Sequence, residues 1–206
     1  MICFSGVRIE PSSKFPQFNG VPGLTDIALG LGRMPRFAGQ TRTWWTGLHH
    51  SLVCEHIASC LADSSNHRLR LLCLLHDAHE AVTSDVPAFF KSKELSNWQE
   101  EIDERFFKAF GLWPISDEEH AFIKKVDNLA LRIEAELFGP PNIMCHLVES
   151  EGFTWIARDI QFEFPKPDDT NGLMSPAAQR FYELFAQLIG RSVHNRRDDI
   201  PQTRKD

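Results

Sequence analysis

No stretch of this chain is apolar for anything near the roughly 20 residues that a membrane-spanning helix needs. The longest strongly apolar run is Leu71 to Leu75. The amino terminus has no basic segment leading into an apolar one, and Pro11 arrives early, so export is not expected. The five cysteines (Cys3, Cys54, Cys60, Cys73 and Cys145) are odd in number and form no C-x-x-C pair. That argues against a disulfide framework or a zinc ribbon and for a reducing, cytoplasmic setting. Positive charge is in deficit, and a net charge of −6 argues against broad electrostatic binding of duplex nucleic acid. A small phosphorylated ligand stays admissible, because a metal and a few placed cations reverse the sign locally. There is no internal repeat or low-complexity domain, and 206 residues suffice for one domain with a full core.

What is present is helical periodicity. The opening Ile2 to Ile9 has two short β-prone runs around Ser5-Gly6, which predicts a small hairpin. From Thr25 onward the apolar spacing is that of helices: a short one over Asp26 to Gly32, then Trp45 to Asp63, His67 to Val82 and Leu95 to Phe110. Ser116-Asp117-Glu118-Glu119 is a capping box opening a helix that runs to about Phe138, where Gly139-Pro140-Pro141 stops it. Ser175-Pro176 opens a last helix to Gly190. Residues 142–171 have weak periodicity, and residues 191–206 read as a polar, mobile tail. The fold class expected is all-α, with residues 1–190 as a single domain.

The chemistry concentrates where the apolar run ends, at Leu71-Leu72-Cys73-Leu74-Leu75-His76-Asp77-Ala78-His79-Glu80. An aspartate is rarely buried unless paired or bound to a metal, and a divalent cation accounts for the imidazole and the carboxylate together. Two other helices carry candidate donors in apolar settings: His50 in Leu48-His49-His50-Ser51-Leu52-Val53, and Asp127 in Val126-Asp127-Asn128-Leu129-Ala130. Spacing alone leaves His49, His56 and His79 as competitors. A mixed set of two nitrogens and two oxygens with open positions suits a mid-to-late first-row divalent ion better than Ca²⁺ or Mg²⁺ alone. Glu80 follows His76 by four residues and Asp77 by three, so all three can share one helical face. A carboxylate there can align a water and accept its proton while a metal lowers that water's pKa. Arg36, in Met34-Pro35-Arg36-Phe37-Ala38-Gly39, suits bidentate phosphate contact, with Phe37 offering a ring to a base. Gly39 and Gln40 can line a pocket by close backbone approach and amide hydrogen bonds.

Leu-x-His-Asp-Ala-x-Glu-Ala, preceded by a His-Ser-Leu-Val helix and followed by an isolated helical Asp, resembles the HD-domain phosphohydrolase superfamily, and most closely its nucleotidase branch. Leu31 to Thr41 is similar to the Arg-Phe-x-Gly segment of phage and prophage members, including the dATP triphosphohydrolase group. The resemblance covers roughly Thr25 to Phe138. It implies a helical bundle with His50, His76, Asp77 and Asp127 as metal ligands and Glu80 and Asp85 as the acid/base pair. It also implies Arg36 on phosphate, with Phe37 where relatives often have Trp, and Lys91 as a second cation. The cofactor it implies is Co, Mn, Zn, Ni or Fe, with Mg²⁺ arriving on a triphosphate. Two departures stand out. The residue before the first ligand is His49 rather than Glu or Gln, and the further histidines of binuclear relatives are missing, so one protein-bound metal is expected.

The function so implied is hydrolysis of deoxynucleotides by water attack at the α-phosphorus. A phage-type, dATP-preferring triphosphohydrolase is the leading expectation, and a 5′-deoxynucleotidase acting on monophosphates is the alternative. A rival of another class is a nucleotide-sensing protein that has lost hydrolysis, against which all four ligands and Glu80 are present. An enzyme cutting cyclic dinucleotides is disfavoured by the missing histidines. Homo-oligomer formation is implied by the resemblance alone.

Overall fold

A computed structural model describes residues 2–10, 17–63, 65–139 and 175–198. The readings for residues 142–171 and 199–206, together with Cys145, lie outside the described residues.

The amino-terminal hairpin forms where the β-prone runs placed it. Cys3 N–H donates to the Val7 carbonyl (2.8 Å) and Gly6 N–H to that of Cys3 (2.9 Å), with Gly6 at φ +87 in the turn. The chain continues into β1 (Ile9–Glu10), antiparallel to β2 (Gln17–Phe18), with Ile9 opposite Phe18. The Asp26 carboxylate accepts from Ser5 N–H (2.9 Å), Ser5 hydroxyl (2.7 Å) and Gly23 N–H (2.8 Å). One side chain thereby ties the hairpin to the start of the first helix.

The rest is helical. In order come α1 (Leu24–Arg33), α2 (Gly47–Leu61), α3 (His67–Leu75), the short α4 (Glu80–Thr83), α5 (Lys93–Ala109), α6 (Asp117–Phe138) and α7 (Pro176–Asp198). Their ends follow local chemistry. Ser92 caps α5 and Ser116 caps α6 through a complete capping box, and Gly111 (φ +69) lies just past the end of α5. Ser175 Oγ accepts from Ala178 N–H (3.1 Å) at the start of α7, which runs past Gly190 to Asp198, so the first part of the expected tail is helix.

Helix α2 lies at the centre, packed on α1, α3, α6 and α7. One core cluster gathers Leu31, Leu48, Leu72, Leu75, Phe106 and Phe181 from five helices. A second, around Trp45, Val53, Ile57, Val126 and Ile133, joins α2 to α6. Arg70 pairs with the buried Glu55 of α2, and Arg68 pairs with Glu119 of α6. These pairs hold α3 between its neighbours.

The motif helix is not continuous, as its periodicity had implied. It stops as α3 at Leu75 and resumes as α4 at Glu80. Between them the chain tightens, with Ala78 N–H donating to the Leu75 carbonyl (2.9 Å) and Glu80 N–H to that of Asp77 (2.9 Å). The cause is a distant side chain: the Asp103 carboxylate of α5 takes the His79 N–H (3.2 Å) and His79 Nδ1 (2.8 Å). An amide bonded there is lost to the regular helical ladder.

Candidate metal centre

Three segments converge. His50 comes from α2, His76 and Asp77 from the tight turn after α3, and Asp127 from α6. His50 Nε2 lies 3.2 Å from Asp127 Oδ1, 3.4 Å from Asp77 Oδ2 and 3.3 Å from His76 Nε2. His76 Nε2 lies 3.3 Å from Asp77 Oδ2 and 3.7 Å from Asp127 Oδ1. Four donors held tetrahedrally about 2.1 Å from one ion stand about 3.4 Å apart. The observed spacings bracket that value, so the set fits a metal.

The orientation of the rings strengthens the fit. His50 Nδ1 faces the Glu134 carboxylate at 2.8 Å, and His76 Nδ1 faces the Cys73 carbonyl at 2.9 Å. Both partners accept only, so each Nδ1 donates and each Nε2 turns a lone pair inward. Two buried lone pairs 3.3 Å apart, with two carboxylates beside them, call for positive charge between. The titration of the cluster says the same. Burial and Arg36 oppose protonation of His50, but Cys54, Glu134 and Asp127 prevail and hold it well above its ordinary value. Burial likewise opposes a charged His76, and Asp77 foremost overcomes it. Burial would raise the two aspartates, yet the imidazoles hold both below the usual carboxylate range.

Glu134 was not singled out by the sequence. It is fully buried, two helical turns beyond Asp127 on α6, and makes with His50 the carboxylate–histidine arrangement that orients metal ligands. The signal available was that seven-residue spacing, an acid recurring on the same face of an apolar stripe.

His49 is separated from His50 by what its ring does. Its Nδ1 lies 2.8 Å from the Thr46 hydroxyl in the cap of α2, and the ring stacks on Trp45 at 4.7 Å. Burial pushes its pKa down to about 4, so it is a neutral core residue. His56 sits beside Cys60 (3.9 Å) at the other end of the helix, and His79 is held by Asp103.

Arg36 is brought to the cluster by backbone pairing. Pro35 bridges Thr46, and Arg36 N–H donates to the Trp45 carbonyl at 2.9 Å. Its guanidinium lies 3.3 Å (Nε) from Glu134 Oε2 and 3.7 Å (Nη1) from Asp77 Oδ2. Burial disfavours its charge, but Glu134 and Asp77 outweigh burial and raise its pKa. Phe37 and Ala38 follow in left-handed conformation (φ 54 and 51), with Gly39 at φ 75. Phe37 lies under the Arg36 guanidinium at 5.9 Å and packs against the Trp45 cluster. Gly39 and Gln40 are exposed at the end of this turn, and among the described residues no hydrogen bond or ion pair joins them or Lys91 to the cluster.

Glu80 is buried with Oε2 unpartnered, and burial, then Asp77 and Asp85, push its carboxyl up to about 7. Asp85 follows Ser84, whose φ of 67 with ψ 161 is a conformation natural to glycine. Beside His76 a cavity of about 570 Å³ opens between α5 and α6, with Phe107, Trp113, Ile115 and Ile123 on its apolar side. Its polar wall holds Asn97, His120 and four acids, of which Glu100 has no ion pair among the described residues, while Glu101 pairs with Arg105, Glu104 with Lys108 and Asp103 with His79.

The arrangement can hold a metal ion, position a buried carboxyl with a near-neutral pKa beside it, and place a guanidinium on its flank. No protein-family model matches the chain. It is 28% identical over 94 residues to the uncharacterized protein YfdR of Escherichia coli (strain K12), a match covering 45% of this chain and only 49%, about half, of that protein. It is 30% identical over 157 residues to the uncharacterized protein RCAP_rcc00048 of Rhodobacter capsulatus, covering 73% of this chain and 74% of the relative. On the strength of that second match, the chain belongs to the family of the Rhodobacter capsulatus protein.

Proposed function

We propose that this protein is a metal-dependent phosphohydrolase of the HD-domain type, acting on deoxynucleotides in the cytoplasm. The observation that carries the reading is the inward-facing set of His50, His76, Asp77 and Asp127 with the unpartnered Glu80 carboxylate beside it. A mid-to-late first-row divalent ion held by those four residues would supply Lewis acidity at a phosphoryl oxygen and would lower the pKa of a water.

The chain's own groups account for the rest. Glu80, near neutral in pKa, accepts the proton of a water attacking the α-phosphorus in line with the leaving oxygen. As the water oxygen bonds to phosphorus, the bond to O5′ breaks, and Asp85, the other member of the acid/base pair implied by the resemblance, would supply the proton that this oxygen takes up. Arg36, held in its charged form against Asp77, offsets the negative charge gathered on the phosphoryl group. Glu134 and the Cys73 carbonyl fix which nitrogen each histidine presents.

The leading sequence expectation is a triphosphate; of the two substrates we favour the alternative, a deoxynucleoside monophosphate. The Arg36 guanidinium is already shared between two carboxylates, and the lining of the cavity beside His76 includes no lysine or arginine. Both features are unfavourable to the extra phosphates of a triphosphate. Incubating the protein with each dNMP and dNTP in Co²⁺ or Mn²⁺ and separating the products tests this. Release of deoxynucleoside and orthophosphate from a dNMP is expected, whereas tripolyphosphate from a dNTP would move the assignment to the triphosphohydrolases. Turnover of neither, with metal verified on the protein by elemental analysis, overturns the enzyme reading.

A further inference from the structure

The two imidazoles at the centre also face a second kind of donor. One turn beyond His50 on α2, Cys54 Sγ lies 3.5 Å from His50 Nε2 and 4.0 Å from its Nδ1. His50, Cys54 and His76 offer donor atoms all within 4.8 Å of one another. Cys54 is fully buried in the Trp45 cluster, whereas the Asp127 side chain is 42% exposed. A thiol in such a place ordinarily only packs, its S–H a weak donor to the ring. The spacing says more. A sulfur about 2.3 Å and a nitrogen about 2.05 Å from one tetrahedral ion stand about 3.6 Å apart, and two such nitrogens about 3.3 Å apart. The observed separations are 3.5 Å for Cys54 Sγ to His50 Nε2 and 3.3 Å for Nε2 to Nε2, and Cys54 and His76 offer donor atoms within 4.8 Å of each other.

We propose that the centre has two binding modes sharing His50 and His76: an oxygen-rich mode completed by Asp77 and Asp127, and a thiol mode completed by Cys54. Hard and intermediate ions such as Mn²⁺ take the first. A more strongly thiophilic ion, of the class of Cd²⁺ or Cu⁺, takes the second, and the Cys54 thiol gives its proton to solvent as the metal–sulfur bond forms. An ion held by the buried thiol is drawn away from the exposed carboxylate, so it occupies the centre without serving it. The inference rests on the metal centre of the preceding reading but requires no substrate.

The test uses metal-free full-length protein carrying Cys60→Ser, because the exposed Cys60 beside His56 (3.9 Å) would add its own thiolate signal. Cd²⁺ is titrated into this protein and into versions that also carry Cys54→Ser or Cys54→Ala. Thiolate-to-metal absorption in the ultraviolet is followed together with Cd²⁺ affinity, and Mn²⁺ affinity is measured by electron paramagnetic resonance. The expected result is a thiolate band saturating at one Cd²⁺, absent from both double variants. Cd²⁺ affinity should fall about tenfold or more while Mn²⁺ affinity stays within about twofold. A band that survives loss of Cys54, unchanged Cd²⁺ affinity, or a parallel loss of Mn²⁺ and Cd²⁺ binding in both variants would each overturn the thiol mode. None of these results depends on turnover, so failure here is distinct from failure to hydrolyse deoxynucleotides.

Discussion

A carboxyl that titrates near 7 has consequences for stability as well as for proton transfer. Glu80 is buried among Asp77 and Asp85, so in the metal-free native protein it keeps its proton up to about 7 rather than its ordinary 4.5. Between those values the folded chain binds a proton that the unfolded chain has released. The stability associated with Glu80 is therefore present below about pH 4.5 and is lost as pH rises through about 7. Glu80→Gln removes that dependence. Without metal, the variant should be more stable than the parent at pH 8, by on the order of 1–3 kcal/mol, with the difference vanishing near pH 4.5. Denaturant titrations at the two pH values measure it, and equal differences at both would contradict the assignment. With metal and substrate the same variant should lose about 10²–10⁴-fold in kcat, a stability gain set against an activity loss.

At the scale of elements, the placement of Glu80 depends on how closely α1 meets α4. A Cβ on Gly30 would stand 2.5 Å from the Ala81 carbonyl oxygen and 2.7 Å from its Cα, and backbone cannot yield there as a flexible side chain can. Gly30→Ala should cost about 1–3 kcal/mol and lower the melting temperature by several degrees. It should also reduce turnover, because α4 carries Glu80 with it. A variant with unchanged melting and activity would show that the contact is not tight. Most of these helices were legible from apolar spacing and from caps such as Ser116 and Ser175, since both act over a single turn. The break after Leu75 was not, because its cause is Asp103 on another helix, beyond the reach of any local pattern. His49 and His50 also looked alike in sequence, and it is the distant Glu134 on His50, set against the local stack of His49 on Trp45, that separates them.

For the whole molecule, three ligand-bearing segments come from distant parts of the chain, so metal binding and folding are coupled. Without an ion, two imidazoles and two carboxylates are crowded into a largely buried space, and protons on the imidazoles must supply the positive charge that an ion would bring. An ion at about 100 times its dissociation constant would stabilise the fold by about 2.7 kcal/mol. Chelation should then lower the melting temperature by about 5–10 °C for a chain of this size, and Mn²⁺ or Co²⁺ should restore it. Calorimetry before and after chelation checks this, and indifference to both treatments would argue against a resident metal. The four ligands were readable from the sequence as an ordered resemblance, and the distances bring them together. Glu134 and Cys54 were not, because neither lies in a motif. Their roles come from the way α2 and α6 face each other across His50.

The unequal exposure of the four ligands bears on timing. The His50 side chain is sealed, those of His76 and Asp77 are 8% and 18% exposed, and that of Asp127 is 42% exposed. An ion entering from solvent would meet Asp127 first, exchanging its hydration shell there before the imidazoles take hold, and an ion leaving would pass it last. With a metal bound as proposed, Asp127 would be a doorway as well as a ligand, setting how fast the centre loads and empties while the buried histidines set how firmly it holds.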